Sequence, residues 1–148
     1  MKKIFLMTVV LFVMVNLNSI FAEVSPGISK KLEIIAQKKQ ELDGKKWEIE
    51  LKPMEGGAKA KVEKDVIIFS EGKVSSQNLA KLGFSPTNFS VRLEEDGTII
   101  WETMQTSEKA GMAFWRGDIG PDGVMRGVLS RRDTKGNIYD YNFVSINK

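Results

Sequence analysis

FSVRLEEDGTIIWETMQ, Phe89 to Gln105, decides the fold. Two runs rich in β-branched and aromatic residues flank Asp96-Gly97, the dipeptide that most strongly signals a tight hairpin. Alternation continues downstream. GMAFWRGD (Gly111–Asp118) is followed by the turn GPDG (Gly120–Gly123), then VMRGVLSRR, the turn DTKGN (Asp133–Asn137) and IYDYNFVSI. Upstream, Val66–Phe69 and Lys73–Ser76 flank Glu71-Gly72, and Trp47, Ile49 and Leu51 alternate with charged residues. Each run has the period of two that belongs to a half-buried strand.

These runs make eight strands, joined by short links except after the first and the third. Pro53–Lys64, rich in Gly, Lys and Ala, reads as a loop, and Leu79, Leu82 and Gly83 fit a single helical turn. Ahead of the strands, Ser25 and Pro26 start a helix, Ile28, Leu32, Ile35 and Leu42 give it a narrow apolar stripe, and Gly44 ends it. Consecutive hairpins form a meander, and eight strands suffice to close one and remove its edges. The expectation is an all-β, eight-stranded antiparallel up-and-down barrel preceded by an N-terminal α-helix. A sandwich is the main rival, and its crossovers usually need longer connections.

The first 22 residues, MKKIFLMTVVLFVMVNLNSIFA, have the charged start, short apolar run and small-residue exit of a bacterial secretory signal peptide. The chain then divides into the signal peptide at 1–22, the helix at 23–43 and the barrel at 44–148. Removing 1–22 from the 148 residues leaves about 126, one domain's worth, and lowers the net charge from +3 to about +1. Lysines between Lys30 and Lys64 are interleaved with acids, which suits a solvated face better than a nucleic-acid footprint. Signal cleavage would leave no integral membrane segment. Export to the periplasm or beyond is the implied destination. The chain has no Cys and no His. A disulfide framework is therefore excluded, and so are the commonest general base and the commonest zinc ligand. No metal or other cofactor is expected.

The turns set the register. Centring the hairpin on Asp96-Gly97 pairs Leu93 with Ile100, Val91 with Glu102 and Phe89 with Met104. Carried through the next turns, the same face collects Met112, Phe114, Arg116, Arg126, Val128, Tyr139, Tyr141 and Phe143. This face is the more apolar and holds most of the rings, so it is expected inside. Trp101 and Trp115 then fall outside, as a partner-binding surface or beneath the N-terminal helix. A one-residue slip would exchange the faces of any strand.

With this register, Glu102, Arg116, Arg126, Tyr139 and Tyr141 converge in the interior. Two guanidiniums and one carboxylate leave an unmatched positive charge, which a bound anion could offset. Arg116 and Arg126 would grip a carboxylate or phosphate beside a Tyr hydroxyl, Glu102 would orient one arginine, and Met104 and Phe114 would line the apolar part. The simpler alternative is a Glu102–Arg116 ion pair at a barrel end, with Arg126 reaching solvent.

Gly44-Lys45-Lys46-Trp47 is similar to the lipocalin Gly-x-Trp signature with one extra residue, and a helix precedes it as in that group. The chain thus resembles the calycins, which include lipocalins and fatty-acid-binding proteins, over Gly44–Lys148. The resemblance implies an eight-stranded barrel and a small amphipathic or anionic apolar ligand held by an Arg–Tyr clamp. The lipocalin Thr-Asp-Tyr motif is not found. The leading expectation is an exported, non-enzymatic, lipocalin-like binding protein of the cell envelope. The other is a ligand-free, inhibitor-like interaction module working through its outer Trp face and N-terminal helix.

Overall fold

A computed structural model describes residues 26–54 and 61–146; the signal peptide read at 1–22 lies outside the described residues. The elements are α1 (Pro26–Leu42), β1 (Lys46–Pro53), β2 (Glu63–Ser70), β3 (Lys73–Ser76), α2 (Gln77–Lys81), β4 (Thr87–Asn88), β5 (Ser90–Leu93), β6 (Ile99–Ser107), β7 (Gly111–Ile119), β8 (Met125–Arg132) and β9 (Ile138–Ser145). The strands form one antiparallel sheet in the order β4-β3-β2-β1-β9-β8-β7-β6-β5. Among the described residues there are nine strands, not the expected eight, because the fourth run is split. β4 pairs with β3, β5 pairs with β6, and only Phe89 separates them.

The two sheet edges therefore meet through the chain itself, and the barrel is nearly closed. Side chains of β6 complete the seam. Thr103 Oγ1 donates to the Asn88 carbonyl at 2.7 Å, Gln105 Nε2 to that of Ser85 at 2.9 Å, and Ser107 Oγ to that of Leu82 at 3.0 Å. Thr87 Oγ1 lies 2.8 Å from Thr103 Oγ1. These bonds satisfy carbonyls that lie outside the β5–β6 ladder.

Loop lengths overturn the expected faces. At Glu71-Gly72 the hairpin has two residues, both at positive φ, and Ser70 pairs with Lys73. Asp96-Gly97 looks equivalent but is not. Leu93 pairs with Ile99, the Glu94 N–H donates to the Thr98 carbonyl, and only Gly97 has positive φ, so the loop is Glu95-Asp96-Gly97. Three residues replace two, and every partner on β6 shifts by one. The same happens between β8 and β9. The Asp133 N–H donates to the Asn137 carbonyl, the loop is Thr134-Lys135-Gly136, and Arg131 pairs with Tyr139. Hydrogen bonds from Asn137, Lys135 and Tyr139, that of the Asn137 side chain foremost, hold the Asp133 carboxyl below its ordinary pKa.

The two slips turn over β6, β7 and β8 relative to β5 and β9. Glu102, Met104, Phe114, Arg116 and Arg126 lie on the outer face, not inside, while Trp101 and Trp115 are fully buried in the interior, not on a surface. Two large rings gain more by burial than the Met and Phe side chains, and two arginines and a glutamate escape desolvation. Trp101 meets Phe69 at 5.2 Å between ring centroids, Phe69 meets Phe89 at 4.9 Å and Trp47 at 5.6 Å, and Trp115 meets Phe143 at 5.5 Å, all edge-on. Rings thus occupy the axis where an internal ligand would have lain. Gly117 and Gly127, paired on β7 and β8, make room for them; a Cβ there would lie 2.3 Å from Trp101 Nε1 and 2.6 Å from Phe143 Cζ respectively.

Helix α1 lies against β5 rather than over the tryptophans. The Lys39 ammonium donates to the Phe89 carbonyl at 3.0 Å and sits 4.6 Å from that ring's centroid, and Leu42 is buried. Ile28 and Leu32, nearer the helix start, stay exposed. No helix among the described residues is long and apolar enough to cross a membrane.

Candidate functional site

The short helix α2 plugs one end of the barrel, and its placement begins with a buried carboxylate. Asp65 accepts from the Val66 N–H at 2.7 Å, the Asn78 N–H at 3.0 Å and the Ser76 hydroxyl. Ser76 caps the helix by accepting from the Leu79 N–H at 3.0 Å. At the other end the Phe84 N–H donates to the Leu79 carbonyl at 3.1 Å, with Gly83 in the left-handed region that such a cap favours. Both ends being fixed, Leu79 is held inside the barrel mouth.

Between α2 and the far wall lies a pocket of about 250 Å³. Leu51, Leu79, Leu82 and Leu129 supply apolar surface, and Glu63, Asp65, Lys81, Arg131 and Tyr141 the polar groups. The Arg131 guanidinium stacks over the Tyr139 ring at 5.0 Å, and Lys81 Nζ donates to Asn78 Oδ1 at 3.2 Å. Neither cation forms an ion pair within 4.0 Å among the described residues. Burial raises the Tyr141 pKa, with Glu63 adding to the rise and Arg131 opposing it, so the phenol stays protonated and can donate.

Of the residues expected to form an interior site, Tyr141 alone lines this pocket; Tyr139 is exposed and donates to Asp133 Oδ2 at 3.3 Å. Glu102 and Arg116 do pair, at 3.5 Å, but on the outer face, where Arg116 also lies 3.8 Å from Asp118. Arg126 leaves that cluster and bonds Asp122 at 3.0 Å. Met104 and Phe114 are exposed neighbours across β6 and β7. Trp115, expected to meet partners, instead donates from its indole to Gln105 Oε1 at 3.1 Å inside the barrel.

Sequence periodicity placed Leu51, Leu79 and Leu82 in a strand and a helical turn but did not single out Arg131, Lys81 or any of the four leucines as pocket residues. Counting DTKGN as a three-residue loop would have placed Arg131 opposite Tyr139, and the helical turn at Leu79–Leu82 marked the plug. Neither the protein-family models nor the characterised proteins and solved structures compared with this chain match it. The likeness to calycin barrels is one of architecture.

Proposed function

We propose that this chain is an exported, non-enzymatic binding protein that takes a small anionic amphiphile at the α2 end of its barrel. The observation that carries the reading is the mouth pocket, where leucine surface stands beside two cations that have no ion-pair partner among the described residues. Asp65 and Glu63 also line it; three donors already engage the Asp65 carboxylate, and Glu63 is exposed to solvent and makes no ion pair with either cation among the described residues. An anionic head would lie between Arg131 and Lys81, with the Tyr141 hydroxyl as a third donor, and the apolar body would rest on Leu51, Leu79, Leu82 and Leu129.

Size narrows the ligand. On the scale by which a cavity of about 150 Å³ holds benzene, this pocket takes on the order of ten non-hydrogen atoms, so a long-chain lipid is too large. Octanoate matches that size and charge. Calorimetric titration should show octanoate binding more tightly than octylammonium, and an Arg131→Gln, Lys81→Gln double variant should lose at least ten-fold in octanoate affinity. Equal affinities for the two head groups, or an unchanged double variant, would defeat the reading.

A further inference from the structure

Arg131 supplies a charge to the mouth pocket from the end of a long, freely rotating side chain, and Glu63 lines the same pocket. Burial raises the Tyr141 pKa, Glu63 adds to the rise and Arg131 opposes it, so both charges lie near that phenol. Even so, Arg131 and Glu63 form no ion pair within 4.0 Å. Contact between them would neutralise the cation before any ligand arrived.

The group that holds the guanidinium off the acid stands on the next strand. Arg131 of β8 is paired with Tyr139 of β9, two residues before Tyr141 and so on the same face of its strand. The guanidinium carbon lies over the Tyr139 ring, 5.0 Å from its centroid. That ring is tethered in turn, since its hydroxyl donates to Asp133 Oδ2 at 3.3 Å. Asp133 is fixed by the backbone N–H groups of Lys135 and Asn137, both at 2.9 Å, and by the Asn137 side chain at 2.8 Å. The three-residue loop between β8 and β9 therefore reaches the pocket through one ring. Tyr139 itself is 38% exposed and does not line the pocket, so filling the core is not what places it there.

We propose that Tyr139 is the positioning residue of the mouth pocket: its ring holds the Arg131 guanidinium away from Glu63, so that an anionic head meets a cation already in place. The inference rests on the binding role proposed above for that pocket. A guanidinium stacked on a ring keeps its N–H edge free, whereas one paired with Glu63 offers fewer donors and no net charge. Holding it also lessens the rotamer entropy lost on binding. Tyr139 thereby sets the preference for an anionic head over a neutral one of equal length, without touching the ligand.

Calorimetric titration of the full chain with octanoate and with 1-octanol tests this. Tyr139→Leu should weaken octanoate binding about five-fold and leave octanol affinity unchanged, since the leucine surface is untouched. Tyr139→Phe, which keeps the ring, should stay within about two-fold of wild type. In an Arg131→Gln background, Tyr139→Leu should weaken octanoate no further, because the ring acts through that cation. Glu63→Gln added to Tyr139→Leu should restore most of the lost affinity. Should Tyr139→Leu misfold, Arg131→Lys keeps the charge without the planar stack and should show the same octanoate loss. Octanoate affinity unchanged in the variant titrated, or an equal loss of octanol, overturns the positioning role and leaves the pocket reading standing. So does a Tyr139→Leu loss that persists without Arg131, that Tyr139→Phe matches, or that Glu63→Gln does not relieve. A wild-type chain that binds no octanoate overturns both.

Discussion

Gly117 and Gly127 show how single residues permit this interior. Strand glycines normally weaken a sheet, since they order more backbone and pack nothing. Here they face Trp101 and Phe143, which take the space their side chains would have filled. The Trp101 indole N–H has no hydrogen-bond partner among the described residues, so its position rests on packing alone. Gly117→Ala would put a methyl 2.3 Å from that nitrogen, and the backbone of two paired strands cannot yield cheaply. It should destabilise the fold by about 1–3 kcal/mol in denaturant titration, with a red shift of Trp emission as the ring is displaced.

Among the elements, the hairpins govern which side chains face inward. Glu71-Gly72 and Asp96-Gly97 share an acid-glycine pair, yet the first makes a two-residue turn and the second ends a three-residue loop. Only the former demands positive φ at the acidic residue, and Glu71 meets it with φ 54°. A left-handed conformation strains a side chain such as Glu by about 1–2 kcal/mol, and Asn tolerates it better. Glu71→Asn should therefore raise stability by roughly 1 kcal/mol, measured as a higher thermal midpoint. The same change at Glu95 should do nothing, because that residue has no positive φ.

For the molecule as a whole, the seam sets how the barrel closes. Gln105 is central to it, since its amide accepts from the buried Trp115 indole and donates to the carbonyl of Ser85, an exposed residue. Gln105→Leu would strand the buried Trp115 indole at a cost of about 1–3 kcal/mol in equilibrium unfolding, more than an ordinary surface change. Most strand positions, the turn sites, the helix ended by Gly44 and the helical turn at Leu79 were readable from the sequence, because periodicity and turn chemistry are local; the break at Phe89 and the place of that turn in the barrel mouth were not. The sides of β6, β7 and β8 were not. Asp96-Gly97 and Asp133–Asn137 fit loops of either two or three residues, and one residue carries Arg116 and Arg126 from the interior to solvent. Local preference is nearly degenerate between those loops, so the choice falls to the burial energy of Trp101 and Trp115. The mouth pocket depends on it in turn, since it joins residues distant in the chain. Local pattern therefore specifies which segments become strands and the order in which they follow one another. Which side of those strands faces the axis is a matter of packing across the barrel, where enclosing large rings outweighs the preference of any single turn.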